Sequence, residues 1–365
     1  MRLRDLGSVA ARRPAGQRVR ARSGAVAGAL LAAFAGLCGG ASAAAAEATT
    51  APSGAGSATT GAAIAEPQSW SPPAHVTPGS VPVPDGVRVV RGYADSPLGQ
   101  VHYQDVGRSA GKRPVIVLLH QVPWFYIYYT RAQAELAARG YRTIAIDTPG
   151  YGLSARLSRE PTMADYAGAI DAVLSQLRLR RVVVVGHHTG SSIGVELART
   201  HPTRVQCLML HGVPLYTEAE AKARLEAPHW DQRYREDGSH LSDRWAYLGG
   251  RIAGSADSVQ WSVLSMWLSG ETEWYGHHAV FKYDMKSALA ALRVPVVVFS
   301  NELDLLGYTV ERVRTLRPDF TILPLASRSS NMPFDEPAAW SDGVLQGLAG
   351  GCGMQALGMQ ARGAR

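Results

Sequence analysis

Arg181-Val182-Val183-Val184-Val185-Gly186-His187-His188-Thr189-Gly190 is the stretch that decides the fold. Four consecutive β-branched residues read as a buried strand. Ile193, Val195, Leu197 and Ala198, which follow, read as the apolar pattern of a helix. Between the two lies G-x-His-x-G. The glycines permit a tight, strained strand-to-helix turn and let the helix pack closely on the strand. Such a turn lifts its central side chain into a site. Enzymes that present a nucleophile this way carry Ser, Cys or Asp at the centre. Here the centre is His188, so the architecture is legible while the chemistry does not transfer.

Working outward, strands and helices alternate from about residue 85. Residues 87–93 and 100–106 read as an opening antiparallel pair. Residues 114–120, 143–147, 205–210, 294–300 and 320–325 read as further strands, most of them continuously apolar. Helices are expected near 129–139, 163–177 and 336–348. Continuous apolar strands alternating with helices imply an α/β fold, a mostly parallel sheet covered on both faces. Residues 215–287 break the rhythm with Trp230, Trp245, Trp261, Trp267 and Trp274 and with His229, His240, His277 and His278. Lying between two core strands, this segment is expected to be a helical lid whose aromatics mostly pack on one another.

With these motifs in order, the chain resembles the α/β-hydrolase superfamily over about residues 85–350. His120-Gln121-Val122-Pro123 stands where the family has an H-G-x-P oxyanion turn. Asp147-Thr148-Pro149-Gly150-Tyr151-Gly152-Leu153-Ser154 resembles the family's D-x-x-G-x-G-x-S turn. Leu303-Asp304 follows a strand where the family's acid lies, and Asn331-Met332-Pro333-Phe334-Asp335-Glu336-Pro337 resembles its G-H-x-P-x-x-E-x-P segment. The departures fall in the catalytic slots. His188 fills the nucleophile slot, Asn331 fills that of the base His, Gln121 replaces a Gly, and only the acid Asp304 is kept. Asn331 cannot take and return a proton at neutral pH, so an ordinary acyl-enzyme route lacks both nucleophile and base.

An imidazole reaches further than a serine hydroxyl. His188 is therefore expected to extend toward Asp304 and form a transposed His–Asp dyad, a general base for water or an acidic substrate proton. The alternative is a decayed slot filled by a residue that packs. Asn331 is expected to fix water or substrate. The Thr189 N–H and the Gln121–Val122 turn are expected to form the oxyanion hole. Trp124 belongs to a dense group with Phe125, Tyr126, Tyr128 and Tyr129, at least one of which should line the pocket. His187 reads as an ordinary second elbow residue and His120 as a brace of the oxyanion turn, while His211, just after a core strand, reads as a loop residue with approach to the site as the alternative. Ser191 and Ser192 should point away from the site, whereas Ser329 and Ser330 are placed to assist Asn331.

The domain reading is a signal peptide over 1–44, a linker over 45–84 rich in Ala, Ser, Thr, Gly and Pro, core over 85–214, lid over 215–287, core over 288–350 and a Gly-rich tail over 351–365. The first 44 residues hold seven Arg and one Asp, which leaves the remainder at +1 of the total +7. No nucleic-acid partner is expected from that balance. Basic, apolar and small-residue zones follow one another as in a cleaved export signal, with an uncleaved anchor as the alternative. After cleavage no stable membrane association is expected. Cys207 and Cys352 then remain, and their pairing is left open. No spacing suggests a zinc site, and no cofactor is expected. The functional expectation is an exported hydrolase of a small, fairly apolar molecule. A proton-transfer enzyme or a ligand-binding protein on the same fold are the alternatives.

Overall fold

The structure, a computed structural model, describes residues 85–353. The expected signal and linker segments, 1–44 and 45–84, and the tail beyond 353 lie outside the described residues. Strands β1 (Val89–Ser96) and β2 (Gly99–Val106) form an antiparallel hairpin. Then come β3 (Ile116–Leu119), α1 (Ile127–Ala138), β4 (Thr143–Ile146), α2 (Met163–Gln176), β5 (Val182–His187), α3 (Thr189–Thr200) and β6 (Val205–His211). Helices α4 (Glu218–Glu226), α5 (Ser239–Gly249), α6 (Ala256–Ser269), α7 (Tyr275–Lys282) and α8 (Met285–Ala291) intervene before β7 (Val296–Ser300). The chain closes with α9 (Val310–Leu316), β8 (Thr321–Pro324), α10 (Met332–Asp335) and α11 (Pro337–Gly350).

The eight strands make one sheet in the order β1-β2-β4-β3-β5-β6-β7-β8. β1–β2 and β2–β4 pair antiparallel, and every later pair is parallel. The pleat of β5 explains why its sequence is apolar throughout. Val182 and Val184 enter the core layer beneath α2 and α3, while Val183 and Val185 enter the layer beneath α1 and α11. Each apolar layer is continuous, so single strand positions are sandwiched rather than half-solvated.

The expected D-x-x-G-x-G-x-S turn is held by its own ends. Asp147 accepts from the Tyr126 and Leu153 N–H groups and from His102 Nδ1, and Ser154 Oγ donates to the Asp147 carbonyl. The segment between β6 and β7 is helical as expected. α8 crosses the expected boundary at 287, because its Met285, Ala288 and Leu289 belong to the core layer. Aromatics within the insertion pack on one another: Trp230 meets Trp267 edge-on at 5.0 Å and His229 stacks on Trp274 at 4.4 Å. Tyr151 ties the insertion to the core, donating to the Glu273 carbonyl while accepting from the Gly276 N–H. Cys207 in β6 and Cys352 beyond α11 form a disulfide across 145 residues, closing the question that their sequence left open. Among the described residues no helix is long and apolar enough to cross a membrane.

Candidate active site

The elbow forms as its sequence demands. β5 ends at His187 and α3 begins at Thr189, with His188 between them at φ 47, ψ −108. A non-glycine residue there is strained by about 1–3 kcal/mol, which only the surrounding structure can impose. Both glycines are required by close approach. A methyl group at Gly186 would lie 2.5 Å from the Gly190 carbonyl carbon, and one at Gly190 would lie 2.5 Å from that of Leu119.

Asp304 lies in the loop after β7 and is 6% exposed. Its carboxylate receives His188 Nε2 at 2.9 Å on Oδ1 and 3.0 Å on Oδ2. His187 Nε2 reaches Oδ2 at 2.8 Å, and the Leu306 N–H reaches Oδ1 at 2.7 Å. Burial alone would raise the acid, but the electrostatic interaction with His188 and the two imidazole hydrogen bonds outweigh it and hold Asp304 well below the usual carboxylate range. Burial, helped by His211 and His188, holds His187 neutral. An ionised carboxylate can only accept, so both imidazoles present Nε2–H to it. With Nε2 so committed, His188 keeps Nδ1 for proton transfer, and its side chain is 16% exposed.

His187 carries more than an ordinary elbow residue would. Its Nδ1 accepts from Tyr128 Oη at 2.6 Å, a phenol that burial keeps protonated. Tyr128, His187, Asp304 and His188 therefore form one hydrogen-bonded chain. The sequence held a signal for it: by pleat alternation His187 shares a face with Val183 and Val185, toward α1. His211 is likewise corrected, since it ends β6 rather than lying in a loop. Its ring stacks on His187 at 4.2 Å, and neither of its nitrogens has a hydrogen-bond partner among the described residues.

The other expected residues fall as follows. Gln121 Nε2–H donates to Asn331 Oδ1 at 2.8 Å, and Asn331 Nδ2 is buried without a partner among the described residues. Ser329 Oγ accepts from the Asn331 N–H, whereas Ser330 Oγ turns to the Ala253 carbonyl. Val122 packs on Gly276 of α7. Thr189 heads α3, where its N–H has no intrahelical acceptor. Trp124 follows the oxyanion turn. It is 2% exposed and wedged between Tyr128 and Phe334, at ring distances of 5.0 and 5.1 Å, so it packs in the core layer. His120 braces its turn, with Nδ1–H donating to the Gln121 carbonyl and Nε2 accepting from the Thr148 N–H. Ser191 Oγ donates to the Gly186 and His211 carbonyls, away from the His188 ring.

The family described as alpha/beta hydrolase fold matches residues 114–244. The chain is an α/β-hydrolase-fold protein. It is similar to an AB hydrolase superfamily protein of Bacillus subtilis, with 30% identity over 36% of this chain and 46% of the relative. A haloalkane dehalogenase of Mycobacterium marinum is 35% identical over 32% of this chain and 39% of the relative. The chain thus spans less than half the length of these curated relatives. Among solved structures, an epoxide hydrolase from Vigna radiata superposes with a TM-score of 0.57 at 16% identity, covering 71% of this chain and 97% of that one. An esterase from Exiguobacterium antarcticum superposes with a TM-score of 0.56 at 20% identity, covering 70% and 97%. In this α/β-hydrolase-fold protein the shared scaffold carries a His–His–Asp cluster at the elbow.

Proposed function

We propose that the protein is an exported hydrolase of a small, fairly apolar molecule, with His188 as general base. The observation that carries this reading is the contact of His188 Nε2 with both oxygens of Asp304, made from the elbow position. Asp304 fixes the tautomer with Nε2–H, so Nδ1 takes a proton from an attacking water. Water attacks the electrophilic carbon directly, because residue 188 offers no hydroxyl, thiol or carboxylate for a covalent intermediate. The proton on Nδ1 then passes to the leaving group. The Thr189 N–H and the Gln121–Val122 turn receive charge that develops on the substrate oxygen. Asn331 Nδ2, the buried amide without a protein partner, is the donor that holds water or substrate.

The names of the relatives, haloalkane dehalogenase and epoxide hydrolase among them, support a small electrophilic substrate. The Cys207–Cys352 disulfide supports export, since such bonds persist in oxidising compartments. The test is turnover of small esters, lactones, epoxides and enol-acids by the parent, His188→Ala and Asp304→Asn. A fall of about 10²–10⁴-fold in both variants is expected. Turnover that survives in both, or a parent inert on every class, overturns the reading. A product formed without addition of water reassigns the dyad to proton transfer.

A further inference from the structure

The elbow presents two imidazoles to one carboxylate. His187 Nε2, His188 Nε2 and the Asp304 carboxylate lie within 4.8 Å of one another. Two nitrogens and one oxygen form the donor set of zinc-class cations, which take imidazole at about 2.0–2.1 Å and carboxylate at about 2.0–2.2 Å. The nitrogen–oxygen edges are 2.8–3.0 Å. With bonds near 2.1 Å, an edge of that length subtends about 90° at the ion, and a slight swing of the His188 ring opens it toward a tetrahedron.

Three further features fit a cation rather than protons alone. The outer nitrogen of His187 lies 2.6 Å from Tyr128 Oη, which accepts from Nδ1–H when Nε2 binds an ion, the kind of contact that orients a ligating imidazole. His211 stacks on His187 with Nε2 3.8 Å from Asp304 Oδ2, buried and with neither nitrogen bonded. An orphaned buried imidazole beside a donor cluster calls for a ligand as its explanation. His187 and Asp304 are 1% exposed at their side chains while His188 is 16% exposed. An ion therefore enters from the His188 side and keeps an outward position for water or substrate.

We propose that His187, His188 and Asp304 bind a single divalent transition-metal ion of the zinc class. The ion takes the place of the two Nε2 protons between the imidazoles and the carboxylate, and each ring, staying neutral, carries its proton on Nδ1 instead. The metal-loaded and base-active forms are thus alternative states of one cluster. This inference does not depend on the hydrolytic reading, because any protein with this cluster presents the same donors.

The test uses the full chain stripped with a chelator, titrated with Zn²⁺ by calorimetry and with Co²⁺ by visible absorption. One equivalent of each is expected. His188→Ala removes the most exposed ligand and is expected to weaken binding by more than about 100-fold in a stripped protein that still unfolds cooperatively. Tyr128→Phe, which leaves all three ligands, is expected to weaken it by about 10–100-fold. No stoichiometric binding by the folded parent, or equal affinity in His188→Ala, overturns the proposal. Turnover by the stripped protein bears only on the base reading, so the two fail separately.

Discussion

Gly212 is the surface against which the His188 ring lies. It has φ 62, and a methyl group there would sit 2.5 Å from His188 Nε2 and 2.7 Å from Asp304 Oδ1. The imidazole is therefore clamped between a bare backbone and its carboxylate. Gly212→Ala is expected to push the ring off Asp304 and to lower kcat/KM by about 100-fold, the usual consequence of an ångström of misplacement. The positive φ adds a loss of at least about 1 kcal/mol in stability. Unchanged turnover in a folded variant would show that the ring needs no clamp.

Tyr128→Phe deletes one oxygen and leaves His187 Nδ1 buried without its donor. A loss of about 1–3 kcal/mol in unfolding free energy is expected from urea denaturation. Tyr128→Phe as stable as the parent would mean that His187 is held by Asp304 alone.

Acid should weaken the fold before the carboxylates protonate. Burial holds His211 at about 4, below the roughly 6.5 of an exposed imidazole. Between those values the unfolded chain binds a proton that the folded chain refuses. The contribution is intact above about pH 6.5 and is lost progressively as pH falls to about 4, for a total on the order of 3 kcal/mol. His187, also lowered, acts in the same direction. Urea midpoints of chelator-treated protein should fall between about pH 7 and about pH 4.5, and less steeply in His211→Leu. Equal slopes in parent and variant would contradict the assignment to His211.

Reduction of Cys207–Cys352, or Cys352→Ser, opens a closure of 145 residues. Chain-entropy reasoning puts the loss at about 2–5 kcal/mol, seen as a lower melting temperature in reductant. Cys352→Ser should be insensitive to reductant. A parent whose melting point ignores reductant would show that the bridge adds nothing.

The fold was legible because its signals are local. Val182 to Val185 announce a strand, Gly186 and Gly190 announce the turn, and both are read within ten residues. The His188–Asp304 pair was legible through spacing between motifs, since each stands at a known point of the scaffold. His187 was harder. Its direction follows from pleat alternation, but its partner Tyr128 lies 59 positions away, on a helix whose rotation is set by packing. The packing of Trp124 was hard to read for a related reason. A run of aromatics does not say which ring faces inward, and Phe334 from the far end of the chain decided it. Cys207 and Cys352 were too distant for any local pattern to pair them.

The hydrogen bond between Gln121 and Asn331, two residues 210 positions apart, also bears on what a change of chemistry would require. Building a serine triad requires His188→Ser and Asn331→His. Made first, Asn331→His sets two imidazoles contending for Asp304 and strips Gln121 of its acceptor. Made first, His188→Ser leaves Asp304 with no base to orient. Positions 121, 188 and 331 are thus coupled through their side-chain contacts, and no single substitution among them builds a serine triad.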